Sequence, residues 1–376
     1  MAQPIMGQKE LTAQVRDAGL CTGCGACVNL CPYQVFYHDR TIVLNACDIA
    51  AGSCHAFCPR TPVDLEALRE RFFEASEFTP EIGPVKAFFI TRAADAQLRR
   101  QAQHGGTVSA LMSLALQEGL IDAAVVAEGR ERFMHDCATV HQSEELRKRA
   151  KSKFIVSPTI AEFNRTARSQ AQRIGVVATP CQAFALAKMR FKPELTSGDN
   201  PIDKLKLLIG LFCGFTLSWV KLIELLQTRT GLDEITGMEV PPGEGVLEIF
   251  TADGALRFPM EEVEPLMREA CRYCIDTTAE YADLSVGSAR FSENWEETRS
   301  WNQVVVRTRT GLELMERARE SGVLEFRDVP AGNLETLKKA ALKKKKAAVK
   351  NLVEKSGSAD DLLYLNAQDR VIAALR

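Results

Sequence analysis

Short apolar runs alternate with amphipathic stretches over most of the chain after Val85. Runs of about four to eight apolar residues are typical of buried strands, and VKAFFITR, AAVVA, IGVVA, KLLIGLFC, ADLSVGS and WNQVVVRT fit this pattern. The turn Ala252-Asp253-Gly254 predicts a hairpin. HGGTVSALMSLALQEG predicts an amphipathic helix with Thr107 as its N-cap, and TLSWVKLIELLQTRTG predicts a helix that Gly231 ends. Strands alternating with helices predict a mixed α+β core of the α/β class over residues 79–330.

Both ends of the chain depart from this pattern. VDLEALRERFFE predicts a short amphipathic helix, and FTPEIGPV, with its two prolines and a glycine, predicts a linker before the core. From Asn333 onward two helical stretches are predicted, the first with four consecutive lysines, Lys343 to Lys346. Consecutive lysines occupy every face of a helix, so this segment is predicted to be solvated, with contact to an acidic partner surface as the alternative. No aromatic platform accompanies the lysines, which disfavours nucleic-acid binding.

The composition narrows the class of protein. The chain has 376 residues, of which 46% are hydrophobic, and a net charge of −2, so nothing global favours nucleic acid or an anionic membrane. The longest uncharged apolar run, Leu207 to Val220, is shorter than a membrane span. MAQPIMGQKE lacks the basic and apolar regions of a secretion signal, so a reducing cytoplasm is expected. In that compartment the 12 cysteines are expected to be metal ligands rather than disulfide partners.

Four of these cysteines lie within eleven residues. Cys21, Cys24, Cys27 and Cys31 follow the spacing C-x2-C-x2-C-x3-C-P, which is the run of bacterial-type ferredoxins. Gly23 and Gly25 allow the positive φ values of a tight loop around a cluster. Zinc sites favour two separated C-x2-C pairs, so this run predicts iron–sulfur chemistry.

A degenerate second run, Cys47-x6-Cys54-x3-Cys58-Pro59, follows. Its Cys-Pro end predicts that Cys58 completes one 4Fe–4S cluster with Cys21, Cys24 and Cys27. A second cluster would then have only Cys31, Cys47 and Cys54 as thiolate ligands. Three readings stay open for it: a 3Fe–4S centre, a 4Fe–4S cube completed by Asp48 or His55, or a site without a cluster.

Cysteines also follow predicted strands in the core. Cys181 comes after IGVVA, Cys213 ends KLLIGLFC, and Cys271-x2-Cys274 forms a local pair. Sites in α/β proteins gather beyond the carboxyl ends of strands, so these four residues predict a third cluster. Each one alone is more typical of a small core residue. Cys137 has no partner at a telling spacing and is interpreted as a structural thiol.

A chain with several clusters is expected to hold an organic two-electron cofactor as well, because clusters carry electrons singly. No G-x-G-x-x-G follows the first strand, which disfavours a Rossmann site. HGGTVSA offers two glycines at a helix start, with the hydroxyls of Thr107 and Ser109, as a phosphate cradle. The basic stretch RKRAKSK, residues 147–153, is a candidate for a second phosphate.

Six motifs in this order resemble the beta-subunit family of coenzyme F-420 (F420) hydrogenases and dehydrogenases. They are GGTVSALMSLALQEGLIDAAVV, KSKFIVSP, VVATPCQA, IGLFC, CRYCIDTTAEYADLSVGS and NQVVVRT. F420 is a deazaflavin hydride carrier, and the resemblance implies FAD in the core, a 4Fe–4S cluster beside it, and electron transfer beside a formate dehydrogenase, hydrogenase or heterodisulfide reductase. It also implies that Cys181, Cys213, Cys271 and Cys274 are the core ligands. The segments it associates with the flavin contain Gly105, Gly106, Thr107, Ser109, Lys151, Ser152, Lys153, Thr179, Gln182, Gly287 and Ser288.

One loop departs from the family pattern. After Gly287-Ser288 the family has a short glycine-rich loop, whereas this chain has ARFSENWEETRS before Trp301. The longer loop carries Glu293, Glu296 and Glu297, which would repel the polyanionic tail of F420 if they lay near its entry. The alternative is a surface insertion that faces elsewhere.

Three functions are compatible with these observations. The first is an iron–sulfur flavoprotein subunit that passes electrons between a hydride carrier (F420, a nicotinamide or another) and a partner redox enzyme. The second is a self-contained, ferredoxin-fed FAD reductase of an organic substrate, and the third is a flavin-free iron–sulfur relay. The predicted domains are a two-cluster ferredoxin-like domain (1–78), an FAD and 4Fe–4S core (79–330) and a lysine-rich helical tail (331–376).

Overall fold

The computed structural model describes residues 5–130, 134–149, 154–192, 201–241 and 243–376. The strands are β1 (Gln34–Tyr37), β2 (Arg40–Val43), β3 (Phe78–Thr79), β4 (Gly83–Pro84), β5 (Ala87–Ala93), β6 (Ala123–Arg130), β7 (Met134–Val140), β8 (Ile174–Ala178), β9 (Leu205–Leu211), β10 (Ile235–Glu239), β11 (Val246–Thr251), β12 (Gly254–Pro259), β13 (Leu284–Ser288), β14 (Asn302–Val306) and β15 (Leu324–Arg327).

The α-helices are α1 (Gln8–Leu11), α2 (Ser53–Ala56), α3 (Leu65–Phe72), α4 (Ala96–Gln101), α5 (Thr107–Gln117), α6 (Ser143–Arg147), α7 (Thr159–Thr166), α8 (Pro180–Phe191), α9 (Trp219–Gln227), α10 (Met260–Val263), α11 (Glu269–Arg272), α12 (Trp295–Thr298), α13 (Arg309–Glu320), α14 (Asn333–Ser356) and α15 (Arg370–Ala373). A π-helical turn follows α1 at Thr12–Arg16, and short 3-10 turns lie at Ala75–Glu77, Pro201–Lys204, Leu232–Glu234 and Glu264–Leu266. Among the described residues, none of the helices is both long and apolar enough to span a lipid bilayer.

The core is an eight-stranded sheet in the order β15-β5-β14-β13-β9-β8-β6-β7. Its four central strands, β13, β9, β8 and β6, are parallel, and antiparallel neighbours flank them on both sides. Apolar clusters cover both faces, one containing the α7 and α8 residues Ile160, Phe163 and Leu186, the other the α5 and α13 residues Leu111 and Leu314. This is the mixed α/β architecture that the alternation of apolar runs predicts.

The sheet topology brings the candidate residues to one edge. The carboxyl ends of β8 and β9 lead to Cys181 and Cys213, and β13 ends at Gly287-Ser288. Because β14 is antiparallel to β13, its first residue, Asn302, lies at this same edge. The carboxyl edge of a parallel sheet is where sites in α/β proteins form, so the fold gathers both sets of predicted ligands there.

Three local predictions are wrong. The N-cap of α5 is Gly106, at φ 77°, and Thr107 is its first helical residue. Helix α9 ends at Gln227, four residues before the glycine that was predicted to end it. FTPEIGPV is a folded segment, because β3 and β4 pair within it and Ile82 is fully buried, its carbonyl accepting a hydrogen bond from Arg307 at 2.6 Å.

The cysteine-rich N-terminal segment packs directly on the core. Asn164 of α7 donates to the carbonyl of Val28 at 2.8 Å, and the amide of Ile160 donates to the carbonyl of Cys24 at 3.2 Å. Gly23 and Gly25 have φ values of 68° and 84°, as the cluster-loop pattern predicts. A Cβ on Gly25 would lie 2.7 Å from the amide nitrogen of Ala161, so the loop can approach α7 only with glycine at this position.

The C-terminal tail is part of the same packed body. Val349 and Leu352 of α14, with Leu362 and Leu365 beyond it, share an apolar cluster with Leu20 of the cysteine-rich segment. The prediction that the four lysines are solvated is wrong for two of them. Lys343 and Lys346 are exposed, whereas Lys345 is buried and Lys344 is partly buried, with its side chain turned to the core.

Candidate iron–sulfur and flavin site

Four cysteines of the core line one cavity. Cys181 is the second residue of α8, Cys213 follows β9, Cys271 lies in α11, and Cys274 comes just after that helix. The side chains of Arg60 and Lys344 line the same cavity. The structure therefore brings together the two strand-end cysteines and the C-x2-C pair that the sequence predicts as a set.

The environment of these sulfurs suits thiolate ligands. The amide and the hydroxyl of Thr216 each lie 3.4 Å from Cys271 Sγ, and the hydroxyl of Thr179 lies 3.4 Å from Cys181 Sγ. Burial, and then the thiolate of Cys274, raise the pKa of Cys181. Bound iron reverses that preference because a coordinating thiol loses its proton.

The four core donors are all thiols, which is the ligand set of an iron–sulfur cluster. Within the described part of the chain, no three His, Cys, Asp or Glu side chains converge closely enough to hold a single metal ion. The core thiols surround a cavity instead, which is what a cube of iron and sulfide needs. The donor set and its cavity therefore fit a 4Fe–4S cluster.

The predicted ligands of the first ferredoxin-type cluster also converge. Burial raises the pKa of Cys27 to about 12, and the neighbouring thiolates of Cys21 and Cys58 contribute to this shift. Burial likewise raises the pKa of Cys58 to about 11, with Cys21 again a neighbour. Arg268 of the core holds the loop by donating to the carbonyls of Thr22 at 2.5 Å and Cys21 at 2.9 Å.

The ferredoxin-type set (Cys21, Cys24, Cys27 and Cys58) lies close to the core set (Cys181, Cys213, Cys271 and Cys274). Burial raises the pKa of Cys24 well above its ordinary value, and the nearby thiolates of Cys58 and Cys181 raise it further. Cys24 is thus an electrostatic neighbour of a ligand from each set. Arg60, next to the Cys58-Pro59 pair, bridges the sets by donating to the core carbonyls of Ala270 at 3.0 Å and Tyr273 at 3.1 Å.

A second basic side chain, Lys188, also joins these two regions. Lys188, two turns along α8 from Cys181, is 2% exposed and donates to the carbonyls of Cys58 at 2.6 Å and Thr61 at 2.8 Å. Burial lowers the pKa of Lys188 to about 7, and the thiolates of Cys58 and Cys24 oppose this shift. The helix that presents a core ligand therefore also supports the loop that presents Cys58.

The three cysteines of the predicted second cluster (Cys31, Cys47 and Cys54, the degenerate set) are only partly brought together. Cys31 and Cys54 are electrostatic neighbours, and burial is the main reason for the raised pKa of Cys54. Cys47 lies on a mostly exposed loop whose position is fixed by a hydrogen bond from its amide to Gln8 Oε1 at 3.0 Å. Asp48 is exposed, whereas His55 is buried, with Nδ1 at 3.4 Å from the Met6 amide and Nε2 at 3.4 Å from Gln14 Oε1. His55 is therefore already engaged through both ring nitrogens.

Cys137 lies apart from these sets. It is buried in β7, and its thiol donates to the Thr159 hydroxyl at 3.5 Å. Burial strongly raises its pKa. This environment agrees with the interpretation of a structural thiol.

Four residues of the predicted flavin segments meet around Asn302. Its Oδ1 accepts from the Thr107 amide at 3.2 Å, and its Nδ2 donates to the Gly287 carbonyl at 3.2 Å. A Cβ on Gly105 would lie 2.7 Å from the same Oδ1. Ser288 joins them through a 3.1 Å contact between its hydroxyl and Nε2 of His104. The Thr107 amide is therefore not free, which corrects the cradle prediction at that position.

The other predicted flavin residues have different surroundings. Thr179 and Gln182 form a capping box at the start of α8: the Thr179 amide donates to Gln182 Oε1 at 2.9 Å, and Gln182 Nε2 donates to the Ser157 carbonyl at 2.7 Å. Both ends of the Gln182 side chain are thus used in the fold. Ser109 lies in the first turn of α5 and is half-buried. Lys151, Ser152 and Lys153 lie outside the described residues.

The long loop of residues 289–300 packs beside the glycines. The ring of Trp295 meets the ring of His104 edge-on, with centroids 5.5 Å apart. Arg299 lies 3.6 Å from the buried carboxylate of Glu239, which in turn lies 3.6 Å from His104 Nδ1. Glu293, Glu296 and Glu297 remain exposed on this loop. The insertion therefore packs on His104 of the HGGTVSA motif, and Glu296 on it is paired with Arg299 at 2.8 Å.

Several residues of this site were not predicted from the sequence. They are Arg60, His104, Lys188, Arg268, Asn302 and Lys344. His104 and Asn302 are the first residues of the quoted motifs HGGTVSA and NQVVVRT, and Arg60 follows Cys58-Pro59, so a place in or beside a motif was an available signal for three of them. The three others act across long sequence separations; Lys188 and Arg268 carry no local pattern, and Lys344 belongs to a lysine run that was predicted to be solvated.

The comparisons agree with this geometry. Models of the coenzyme F420 hydrogenase/dehydrogenase beta subunit match residues 88–162 (N-terminal part) and 171–331 (C-terminal part), and a 4Fe–4S binding domain model matches residues 15–37. The chain is 29% identical over 276 residues to the coenzyme F420 hydrogenase subunit beta of Methanothermobacter thermautotrophicus, covering 72% of this chain and 95% of that protein.

One further relative and one solved structure are also similar to this chain. The chain is 27% identical over 314 residues to the coenzyme F420-dependent sulfite reductase of Methanocaldococcus jannaschii, covering 80% of this chain but 46% of that protein. A chain in the structure of the F420-reducing NiFe hydrogenase complex from Methanosarcina barkeri superposes with a TM-score of 0.67 at 26% identity, covering 73% of this chain and 94% of that one.

Proposed function

Because the chain belongs to the coenzyme F420 hydrogenase/dehydrogenase beta-subunit family of oxidoreductases, we propose that it is an iron–sulfur electron-transfer subunit of a larger redox complex. The family match and the named hydrogenase relatives support a partner that carries the rest of the electron path. More than half of the sulfite reductase lies outside its match, so the ability to reduce sulfite is not part of this proposal.

The observation that carries the proposal is the electrostatic proximity of the two cysteine sets. Cys24 of the ferredoxin-type loop is an electrostatic neighbour of Cys181, a ligand candidate of the core. Two clusters held by these sets would be adjacent, so single electrons would pass between the core and the N-terminal module without an intervening carrier. The partly exposed Cys31, Cys47 and Cys54 would form the outer end of that path.

We assign the flavin to the region around Asn302 and His104. FAD, when bound, supplies the conversion of a two-electron hydride into two single electrons. Gly105, Gly287 and Ser288 lie there, and the ring of Phe212, next to Cys213, packs within 2.1 Å of where a Gly287 Cβ would be. The two glycines let the Asn302 side chain and the Phe212 ring pack closely at this edge, so the support for a flavin here is the place of these segments in the family motifs and their nearness to Cys213.

The proposal also concerns which electron donor reacts with the flavin. The loop of residues 289–300 packs on His104 and exposes three glutamates beside the proposed flavin region. Exposed charges a few ångströms apart interact by at most a few kcal/mol before salt screening, which still changes affinity severalfold. We therefore expect F420, with its polyanionic tail, to react slowly, and a partner protein to be the better electron donor.

Iron and flavin analysis of anaerobically purified protein tests the core of the proposal. Cys181→Ser is expected to lose about one cluster's worth of iron while keeping the iron of the N-terminal module. Cys137→Ser is the matched control, because it removes a buried cysteine outside the sets and is expected to keep all iron. Equal iron in both variants, or protein without acid-released FAD, would contradict the assignment.

Stopped-flow mixing tests the carrier. Oxidised protein is mixed separately with reduced F420, NADH and NADPH, and the flavin absorbance is followed. Bleaching is expected to be slow with reduced F420 and to accelerate when Glu293, Glu296 and Glu297 are all replaced by Gln. Fast bleaching of the unmodified protein by reduced F420 alone would show that the glutamates do not exclude it.

The degenerate set has its own test. Three thiolates leave one iron without a cysteine ligand, so we expect a 3Fe–4S-type electron paramagnetic resonance signal from mildly oxidised protein. Cys47→Ser should abolish that signal and leave the signals of the other clusters in place. A cube with a fourth cysteine ligand would contradict this assignment.

A further inference from the structure

The helix α14 begins at Asn333, after the family match ends at residue 331, and its Lys344 lines the cavity of the core cysteines. Its four consecutive lysines have three different surroundings. Lys343 and Lys346 are exposed, and Lys345 is buried in an ion pair with Glu280. Lys344 alone lines the cavity of the four core cysteines.

We propose that Lys344 is an electrostatic tuning residue that raises the reduction potential of the core cluster. The inference rests on the proposed function, because it requires Cys181, Cys213, Cys271 and Cys274 to hold a cluster. Reduction adds one electron to the cluster, and a fixed positive charge beside it stabilises the reduced form. Hydrogen bonding and charge around the sulfurs are known means of setting cluster potentials.

The geometry holds the ammonium of Lys344 in place. Its Nζ donates to the carbonyl of Cys213 at 2.7 Å and to the carbonyl of Asp276 at 3.1 Å. These carbonyls belong to the two chain segments that present Cys213 and Cys274. Both acceptors are neutral, so neither cancels the charge of the lysine.

Two carboxylates lie nearby, and the negative charge of Asp276, which acts on Lys344, is the same in every Lys344 variant. The carboxylate of Asp276 accepts from the amides of Thr278 at 2.8 Å and Glu280 at 2.9 Å. Glu280 is paired with Lys345. Arg60 lines the same cavity and donates to core carbonyls, so it adds positive charge from the ferredoxin side. The two cations together give this cavity a positive wall, of which α14 supplies one part.

A potentiometric titration of the holoprotein, monitored by electron paramagnetic resonance under anaerobic conditions, tests the role of Lys344. Lys344→Gln keeps a hydrogen-bond donor but removes the charge. At a fixed potential, the ratio of reduced to oxidised core cluster is expected to fall at least tenfold, which is about 59 mV for a one-electron couple. Lys344→Arg is expected to restore the original ratio.

The same helix provides the controls. Lys343→Gln and Lys346→Gln remove the neighbouring exposed charges and are expected to leave the ratio unchanged. An unchanged core potential in Lys344→Gln would overturn the inference, as would equal shifts in all three variants. If Lys344→Gln fails to retain core iron, Lys344→Met repeats the test. Loss of core iron from both would also overturn it, because the lysine would then serve assembly. Absence of a core cluster from the unmodified protein would instead refute the proposed function.

Discussion

The ion pair between Lys345 and Glu280 gives the sharpest test of how the tail is held. Lys345 is 3% exposed and Glu280 9% exposed, and the pair joins α14 to the segment that follows Cys274. Lys345→Met leaves the Glu280 carboxylate buried without its counter-ion. Removing one partner of a buried pair typically costs about 3–5 kcal/mol.

Protonation of Glu280 limits that cost. Burial already raises its pKa, and Lys345 opposes the rise, so the pKa should increase further in Lys345→Met. Each pKa unit corresponds to about 1.4 kcal/mol. A carboxyl whose pKa is higher in the folded state takes up its proton there first, so folded protein gains stability as the pH falls through that pKa. The deficit of Lys345→Met is therefore expected to be about 3 kcal/mol near neutral pH and to shrink on acidification.

Thermal unfolding of anaerobic holoprotein, followed by far-ultraviolet circular dichroism at one scan rate, measures this deficit. Lys346→Met is the matched control, because it removes an exposed lysine from the next position and should change stability by no more than about 0.5 kcal/mol. The double variant Lys345→Met/Glu280→Gln should recover part of the loss, since it removes both charges. Equal unfolding temperatures for Lys345→Met and Lys346→Met would refute the argument that α14 is pinned to the core by this pair.

Three other changes test separate parts of the site. Asn302→Ala removes the acceptor of the Thr107 amide and one donor to the Gly287 carbonyl, so we expect a loss of about 1–3 kcal/mol in thermal unfolding and a lower FAD content. Thr308→Ala, which removes the cap of α13, is the comparison for FAD. Gly287→Ala places a methyl group against the Phe212 ring, so we expect about 1–3 kcal/mol of destabilisation, while Gly322→Ala, at a site open to solvent but with φ 68°, should cost less. Burial lowers the pKa of His104 to about 4, so the unfolded chain takes up this proton first and stability falls as the pH drops from about 6.5 through 4. His104→Gln should therefore lose less stability on acidification, which a series of unfolding temperatures against pH measures. Glu239, whose pKa burial raises, works in the opposite direction in both proteins.

The sequence was most informative where chemistry follows a strand. Cys181 and Cys213 were predicted as a pair because apolar runs locate strand ends, and the carboxyl ends of parallel strands meet at one edge. The ferredoxin spacing likewise predicted that Cys58 joins Cys21, Cys24 and Cys27. These predictions depend on local periodicity and on short spacings, both of which are visible in a single chain.

The errors have a common physical origin. Thr107 was predicted as an N-cap because its hydroxyl suits that role, but Asn302, 195 positions away, binds the Thr107 amide. Lys344 and Lys345 were predicted to be solvated because lysine clusters usually are, yet a backbone carbonyl of Cys213 and the carboxylate of Glu280 hold them inside. Partners that are distant in sequence determine whether a polar group is buried or solvated, and periodicity carries no information about such partners.

The way the cysteine loops are attached bears on electron transfer. Three buried cations cross the boundary between the loops and the core, and each donates to backbone carbonyls: Arg268 to Cys21 and Thr22, Lys188 to Cys58 and Thr61, and Arg60 to Ala270 and Tyr273. Carbonyl acceptors leave the charge of Arg60 in place to offset the thiolates that bind iron, whereas Arg268 also lies 3.7 Å from the Asp39 carboxylate and burial lowers the pKa of Lys188 to about 7. Because hydrogen bonds run both from the core to the loops and from the loops to the core, the N-terminal module also holds Cys24 beside Cys181. An N-terminal module on a flexible linker would let that separation vary, and transfer between the two clusters would then depend on docking. The attachment in this chain instead makes the distance between the cysteine sets a fixed property of the fold.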